Sequence, residues 1–264
     1  MRRFVLFLGV FLLGSLSVKA ANNCFIAEEN GKVIKQAGDV NFRQAPCSTF
    51  KIAISLMGYN EGLLIDENHP EFPFKKGYVD WLDRWKQPHT PRLWMKNSCV
   101  WYSQVLTEKM GMDKFKAYAE KFKYGNQDVS GDKGKNNGLE KAWLSSSLQI
   151  SPKEQMQFLK KMLGGNLPVS RKAVEMTKKI LWVENLADGW KLYGKTGNGS
   201  QQRKDGTKVK DRQVGWFVGW INKGKRNIIF VYRIQDREKQ DTYASIRARK
   251  AAKKELIEIV NSLK

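Results

Sequence analysis

A serine and a lysine three residues apart form the first pair in this chain that could do chemistry. Ser48 and Lys51 follow Pro46 and lead into the apolar run at residues 52–57. Proline favours the first turn of a helix, and residues three apart share a helix face, so the two side chains are predicted to be neighbours. A serine hydroxyl needs activation to become a nucleophile, and a buried, unprotonated lysine can provide it. The alternative is an ordinary helix start whose lysine reaches solvent.

A second candidate lies late in the chain, where Lys195-Thr196-Gly197 ends a predicted strand. At the end of an antiparallel strand, the lysine and threonine side chains can meet an anionic group of a substrate. The small glycine would let a ligand lie against the strand edge. A strand-end turn without function would show the same three residues. The glycines at 194, 197 and 199 do not open a helix, which argues against a dinucleotide or phosphate loop.

The scarcity of histidine restricts the base that could serve such a site. The chain has only His69 and His89, both close to prolines. A zinc hydrolase needs clustered metal ligands, and none are suitably spaced. A Ser-His-Asp hydrolase needs a well-held histidine, and the Gly-x-Ser-x-Gly elbow is missing. The base is therefore predicted to be a lysine or a carboxylate. Lys51 is the only charged residue between Arg43 and Glu61, which predicts that it enters the core.

The first twenty residues predict an export signal. Arg2 and Arg3 precede an apolar run over residues 4–16, and Val18-Lys19-Ala20 forms a small-x-small cleavage site. This apolar run is too short to span a membrane, and no other segment reaches transmembrane length. We therefore predict a signal peptide over residues 1–20, a periplasmic mature protein and no integral membrane segment.

The basic composition allows several kinds of partner. The formal net charge is +21, and removing Arg2, Arg3 and Lys19 lowers it to +18. Such a charge can serve nucleic-acid or anionic-surface binding. The basic residues are scattered, however, and the densest run, at 247–254, alternates with alanines. We predict a solvated basic surface and no nucleic-acid partner, with binding to anionic envelope polymers as the alternative.

Three cysteines, Cys24, Cys47 and Cys99, leave at least one thiol unpaired. Their spacing fits no metal site, and a Cys24–Cys47 disulfide is possible. Cys47 and Cys99 each lie beside a candidate serine, and we predict for them a buried, small apolar role.

The patterns around these residues predict an α+β fold in one domain over residues 21–264. Its sheet would contain a hairpin at 25–26 and 33–34 and period-two strands at 190–195, 215–221 and 228–232. We predict a central antiparallel sheet flanked by N- and C-terminal helices. An all-helical subdomain over roughly residues 60–180 would be inserted, with the site between the two parts.

Helix signals complete this prediction. The C-terminal helix is expected to bury Ile246, Leu256, Ile257 and Val260. Residues 60–97 are expected to be a long loop region with short helices. The other predicted helices run from Ser48 to near Gly58, over 98–122 with Ser98 at the start and a break at Gly111, from the Ser151 capping box to about Leu163, and from the Ser170 cap to about Leu181.

In their order, these features resemble the class D β-lactamases, the oxacillinase family, over nearly the whole mature chain. Penicillin-recognising serine enzymes combine Ser-x-x-Lys, a later helix-opening serine and Lys-Thr-Gly on a late strand. Any one motif can occur by chance, but six in order with fitting spacing do not. The motifs are Ser48-Thr49-Phe50-Lys51, Ser98-Cys99-Val100, Tyr124-Gly125-Asn126, Trp143-Leu144, Lys195-Thr196-Gly197 and Gly215-Trp216-Phe217-Val218-Gly219.

The resemblance implies a set of catalytic roles. Ser48 would attack the β-lactam carbonyl, and Lys51, carboxylated by carbon dioxide, would be the general base. Val100 replaces the Asn of related enzymes and would keep the lysine site apolar, which favours a neutral amine. The indole N–H of Trp143 would donate to the carbamate, and Ser98 would pass a proton to the lactam nitrogen. No metal ion or organic cofactor is implied.

The resemblance also implies which residues bind the substrate. Lys195, Thr196 and Gly197 would bind the substrate carboxylate, and the backbone N–H groups of Ser48 and Asn198 would form the oxyanion hole. Many relatives place an arginine on the terminal helix for the same carboxylate. One register puts Ser245 there and another puts Arg249, and we favour Ser245 slightly.

The partners would be β-lactam antibiotics, and the protein a monomer or homodimer. Tyr124-Gly125-Asn126 is given a structural role. A penicillin-binding transpeptidase shares the acylation half of the reaction and is the main alternative. A β-lactam sensor domain and a cell-wall-binding protein with a decayed site are the others.

Overall fold

The structure is a computed structural model that describes residues 23–263. The predicted signal peptide lies outside the described residues. Within the described part of the chain, no helix combines the length and apolar character needed to cross a membrane.

A six-stranded antiparallel sheet forms one half of the molecule, with the strand order β2-β1-β6-β5-β4-β3. Its first hairpin turns at Asn30 and Gly31, which both have positive φ, as a two-residue hairpin turn requires. The predicted hairpin is therefore confirmed. The strands are β1 (Cys24–Glu29), β2 (Lys32–Ala37), β3 (Trp182–Asn185), β4 (Lys191–Gln202), β5 (Lys208–Lys223) and β6 (Arg226–Gln235).

Helices supply the other half, and most lie between β2 and β3 in the chain. The predicted capping box is confirmed, because Ser151 and Glu154 bond reciprocally at the start of α6, and Ser170 caps α7. The helices are α1 (Lys51–Asn60), α2 (Pro91–Asn97), α3 (Val100–Met110), α4 (Met112–Phe122), α5 (Gly138–Lys141), α6 (Pro152–Leu163), α7 (Arg171–Ile180) and α8 (Ala244–Ser262).

Alternation along the strands gives the sheet two buried faces. In β5, Trp216, Val218 and Trp220 join the core shared with helices α1–α7, whereas Phe217 and Ile221 join a second core beneath α8. Burial on both faces excludes polar side chains from residues 214–221 of β5. The fold class is thus as predicted, an α+β fold of an antiparallel sheet with helices on both faces.

Three details differ from the sequence prediction. Strand β3 was not expected, because its four residues carry no period-two pattern. Strands β4 and β5 extend through the polar segment that follows Gly197 in sequence, where their pairing continues to Gln202 and Lys208. Ser98 does not open a helix: it ends α2 in a left-handed conformation with φ 56°, and α3 begins two residues later.

The buried side of α8 is also different from the prediction. Leu256 and Val260 are buried as expected, but Ile246 and Ile257 are 60% and 48% exposed. The helix instead turns small residues to the sheet, namely Ala244, Ala248 and Ala252. A side-chain carbon at Gly215 would overlap Ala244, so the helix lies too close to β5 for larger side chains.

The three cysteines are all free and buried, so the possible Cys24–Cys47 disulfide is not formed. We expect the native protein to react slowly with a thiol reagent, because burial raises the pKa values of Cys24 and Cys99 to about 11. Titration after unfolding in denaturant should count three thiols without a reductant. A count of one would show that a disulfide had formed.

Candidate active site

Ser48 and Lys51 meet at the start of α1, as their spacing predicts. A 3-10 turn over Cys47–Phe50 carries Ser48 and leads directly into the helix. Lys51 Nζ donates a hydrogen bond to Ser48 Oγ at 3.2 Å. The lysine is fully buried, and desolvation lowers its pKa to about 8, against a smaller opposite effect of the Cys99 and Cys47 thiols. No acidic side chain within residues 23–263 forms an ion pair with it, so an unprotonated amine is accessible near neutral pH.

A second lysine–serine pair faces the first from the sheet. Lys195 Nζ donates to Ser98 Oγ at 2.8 Å and to the Thr196 carbonyl oxygen at 3.0 Å. Lys195 is only 4% exposed, and burial, with the charge of Lys51 next in size, holds its pKa well below the ordinary lysine value. The close contact of Gly197, two residues after Lys195, with Pro46 and Thr49 brings both pairs into one site. Ser98 Oγ accepts a hydrogen bond from the lysine, which leaves its own proton available for donation.

Strand β4 passes directly over the turn that carries Ser48. A side-chain carbon at Gly197 would lie 2.7 Å from the Pro46 carbonyl oxygen and 3.2 Å from the Thr49 nitrogen. Glycine at this position therefore permits close contact between the strand and the turn. This reason differs from the sequence interpretation, in which the glycine made room for a ligand.

Trp143 lies in the apolar shell around the Ser48 turn. Its ring centroid is 6.0 Å from that of Phe50 and 6.2 Å from that of Phe115, and Val100 is buried in the same core. Trp143 is fully buried, yet its Nε1 has no hydrogen-bond acceptor among the described residues. An unpaired buried donor costs about 1–3 kcal/mol, so this N–H indicates a place for an acceptor that the chain itself does not provide.

The Tyr124-Gly125-Asn126 motif holds the segment that follows Trp143. The Asn126 side chain donates to the Ser147 carbonyl oxygen at 2.8 Å and accepts from the Gln149 backbone N–H at 2.9 Å. Its own backbone N–H donates to the Gln149 carbonyl oxygen. Gly125 has no space for a side chain against the same residue. These contacts agree with the structural role expected for the motif.

Gln155, which sequence reasoning missed, helps to position the Ser48 turn. Gln155 on α6 donates to Thr49 Oγ1 at 2.8 Å, and Thr49 donates to the Pro46 carbonyl oxygen at 2.7 Å. Tyr124 completes the chain by donating to Gln155 Oε1 at 3.3 Å. A glutamine on the buried side of the amphipathic α6 was the available sequence signal, because a buried amide needs partners.

The start of α8 is joined to the sheet by two amides. The Asn198 side chain accepts from the Ser245 backbone N–H at 3.0 Å and donates to Gln213 Oε1 at 3.1 Å. Gln213 Oε1 also accepts from the Ala244 backbone N–H. These bonds satisfy N–H groups that a helix start leaves without internal partners. The backbone N–H of Ser245 therefore helps to fix the start of α8.

Arg249 reaches the cavity beside the Lys-Thr-Gly segment. This cavity of about 430 Å³ is lined by Lys195, Thr196, Phe217 and Arg249 among others, and Ser245 is not one of its lining residues. The Arg249 guanidinium lies 6.0 Å from the Phe217 ring centroid and bonds to Glu184 at 3.1 Å. Of the two candidates on the terminal helix, the structure brings Arg249 to this end of the site.

The histidines belong to other parts of the molecule. His69 pairs with Asp66 at 3.0 Å on the surface, and His89 is buried with its Nδ1 2.8 Å from the Gln87 carbonyl oxygen. Among residues 23–263, no group of three or more His, Cys, Asp and Glu side chains could hold a metal ion. The polar groups that converge are the two serines and two lysines, an arrangement suited to acyl transfer to a serine followed by proton delivery to a leaving group.

The buried Lys51 makes a stability prediction with a definite sign. Because its folded pKa of about 8 is below the value of 10.5 for a free lysine, the unfolded chain binds the proton more readily. The resulting penalty, on the order of 3 kcal/mol, is complete below about pH 8 and disappears as pH rises to about 10.5. In buffer free of carbon dioxide, Lys51→Met should therefore raise stability at pH 7 by about 2 kcal/mol and Tm by roughly 4–8 °C.

The matched control is Lys172→Met on the exposed side of α7, which should change stability by less than about 0.5 kcal/mol. Calorimetry of both variants at pH 7 and pH 10 is the measurement. The gain in stability from Lys51→Met should shrink at the higher pH, where the free lysine also begins to lose its proton. An unchanged or lower Tm at pH 7 would contradict the assigned penalty.

The sequence matches one protein family and is similar to several known proteins. The penicillin-binding protein transpeptidase domain family matches residues 25–258. The chain is 41% identical over 220 residues to β-lactamase OXA-9 of Klebsiella pneumoniae, covering 83% of this chain and 80% of that protein. It is 42% identical over 222 residues to β-lactamase OXA-1 of Escherichia coli, covering 84% and 76%.

The fold agrees with these similarities. The crystal structure of the OXA-427 class D β-lactamase superposes with a TM-score of 0.87 at 44% identity. The match covers 92% of this chain and 100% of that chain. The described elements therefore correspond to a complete solved domain of that family.

Proposed function

This chain belongs to the class D β-lactamases, and on that premise we propose that it hydrolyses the β-lactam amide bond of penicillin-type antibiotics and so confers resistance. The reaction would proceed through an acyl-enzyme on Ser48. The observation that carries the proposal is the pair of serine–lysine hydrogen bonds, Lys51 to Ser48 at 3.2 Å and Lys195 to Ser98 at 2.8 Å.

In acylation, Ser48 Oγ attacks the lactam carbonyl carbon, the new ester bond forms and the ring C–N bond breaks. The leaving nitrogen needs a proton, and Ser98 is assigned to deliver it. Lys195 can replace that proton through its hydrogen bond to Ser98, because its lowered pKa makes the ammonium a readier donor than an exposed lysine. The backbone N–H groups of Ser48 and Asn198 are assigned to the oxyanion hole, where they would stabilise the developing negative charge.

We propose that carbon dioxide carboxylates Lys51 Nζ. When bound, the carbamate supplies the general base for acylation and deacylation. The residues present fit this group in two ways. The Lys51 amine is buried and its pKa is lowered to about 8, which provides the neutral form that carbon dioxide requires. The buried Nε1 of Trp143, which has no acceptor among the described residues, can donate a hydrogen bond to it, and the buried Val100 keeps the surroundings apolar.

The substrate carboxylate is assigned to Lys195, Thr196 and Arg249, which line one cavity. Gly197 contributes by bringing β4 against the Ser48 turn rather than by a contact of its own. Ser245 is assigned a positioning role, since its backbone N–H bonds to Asn198. The signal peptide, the periplasmic location, the absence of a nucleic-acid partner and the choice between monomer and homodimer stay predictions.

Turnover of a chromogenic cephalosporin tests the proposal. The wild-type protein should hydrolyse many equivalents, and Ser48→Ala should lower kcat by at least about 10³-fold, because the nucleophile is lost. Ser55→Ala, in the adjoining helix α1, is the matched control and should retain turnover. A single stoichiometric burst would instead favour a transpeptidase or a sensor domain. Binding to anionic envelope material without hydrolysis, unchanged in Ser48→Ala, would favour the cell-wall-binding alternative.

The carbamate can be tested by its own signal. With ¹³C-labelled bicarbonate, the wild type should show a carbamate resonance that Lys51→Ala lacks. Activity should rise with added bicarbonate, and the amount required should increase as pH falls below about 8, because protonation of Lys51 competes with carboxylation. Absence of the resonance together with indifference to bicarbonate would remove the carbamate from the mechanism.

Trp143→Phe is the matched variant, since it keeps an aromatic ring and removes the N–H. It should raise the bicarbonate requirement, and Trp143→Ala should slow deacylation more than acylation. Equal slowing of both steps, with no change in bicarbonate requirement for Trp143→Phe, would show that the tryptophan only packs.

A further inference from the structure

The cavity at Lys195 and Thr196 is larger than a single carboxylate needs. It has a volume of about 430 Å³ and extends from β4 to α2 and to the first residues of β3. Its α2 wall carries Arg92 and Lys96, and its β3 wall carries Trp182. Arg249, on α8, contributes a further cation. One substrate carboxylate at Lys195, Thr196 and Arg249 would leave the opposite, α2 wall of the cavity without a ligand.

The cations on this wall are incompletely neutralised by the described residues 23–263. Lys96 forms no ion pair with any residue in the described range 23–263. Arg92 lies 3.4 Å from Glu67, but Glu67 also pairs with Lys179. The cavity therefore retains positive charge that a bound anion could compensate, and it is partly shielded from solvent, which strengthens the attraction.

Arg249 is in the same situation on the other side of the cavity. Glu184 lies 3.1 Å from Arg249 and 2.9 Å from Lys253, so one carboxylate is shared between two cations. Binding of the ring carboxylate would offset one charge, and the charge on Lys96 and Arg92 would remain.

Apolar surface accompanies this charge. The Trp182 side chain begins β3 and is 49% exposed, although it borders a cavity beside the catalytic residues. Met95 and Phe217 line the same space. An exposed tryptophan beside incompletely neutralised cations is suited to a flat or apolar group that carries a negative charge.

We propose that this cavity is a subsite for a second anionic group of the substrate, with Lys96 as its specificity-determining cation and Trp182 as its apolar wall. The inference rests on the proposed function, because the position of the ring carboxylate orients the substrate. In a cephalosporin, the ring carbon next to the one bearing the carboxylate carries a variable substituent. With the carboxylate in the cavity at Lys195 and Thr196, that substituent is attached one bond away and can reach the remaining space of the cavity.

The test uses three cephalosporins with the same acyl side chain and different substituents at that ring carbon: a carboxylate, a neutral group and a pyridinium cation. The wild type should show the highest kcat/KM for the anionic compound and the lowest for the cationic one, with the difference mainly in KM. Lys96→Ala should reduce the anionic-to-neutral ratio about threefold, and Lys96→Glu by roughly tenfold or more. Because each ratio compares kcat/KM values of the same variant, a general effect of the substitution on the neighbouring Ser98 cancels.

Lys225→Glu, in the exposed turn between β5 and β6, changes the net charge equally and should leave the ratios unaltered. Trp182→Ala should reduce the preference for an aromatic anionic substituent over a small anionic one. Equal kcat/KM values for the three compounds in the wild type, or the same ratios in Lys96→Glu as in Lys225→Glu, would overturn the subsite. No turnover of any compound would overturn the proposed function and the subsite with it.

Discussion

The desolvated amine of Lys51 is the constraint on which the site depends. An ammonium group placed in a protein interior without an acidic partner is costly, and a lowered pKa is how the protein accommodates it. The aromatic shell formed by Phe50, Phe115, Tyr124 and Trp143 keeps water away from this region. Within the described part of the chain, the same shell leaves the indole N–H of Trp143 without a hydrogen-bond acceptor. Lost stability and chemical reactivity thus have one origin, the burial of a group that prefers water.

The site also depends on how closely the two halves of the molecule approach. Glycine at 197 lets β4 lie on the Ser48 turn, and the hydrogen bond from Lys195 to Ser98 links the sheet to the connection between α2 and α3. Ser98 is held there in a left-handed conformation, which side-chain-bearing residues seldom adopt. Ser48 and Ser98, the proposed nucleophile and proton donor, therefore come from segments that are distant in the chain. Both are positioned by contacts with a single strand.

Charge is distributed unevenly around this site. Among residues 23–263, no carboxylate pairs with Lys51, whereas the cavity beside Lys195 combines several cations with the shared carboxylates Glu67 and Glu184. The first arrangement favours a neutral amine, and the second favours anionic ligands. Part of the protein's net charge of +21 is thereby located where a substrate carboxylate would bind. The rest is spread over exposed helices and turns.

The sequence by itself predicted the candidate serine–lysine pair and most of the elements that carry the candidate site residues. Ser48 and Lys51 are three apart where a 3-10 turn leads into α1, and local helical geometry is enough to place them together. Alternation in β5 and the caps of α6 and α7 were equally local signals and were predicted correctly. The exposed Ile246 and the small residues beneath α8 were not predictable, because they depend on how closely the helix approaches β5. Only the tertiary structure decided that Arg249 reaches the cavity, that Lys96 and Trp182 share it, and that Trp143 has an unpaired donor. Each of these facts depends on contacts between segments far apart in the chain, for which the sequence carries no local pattern.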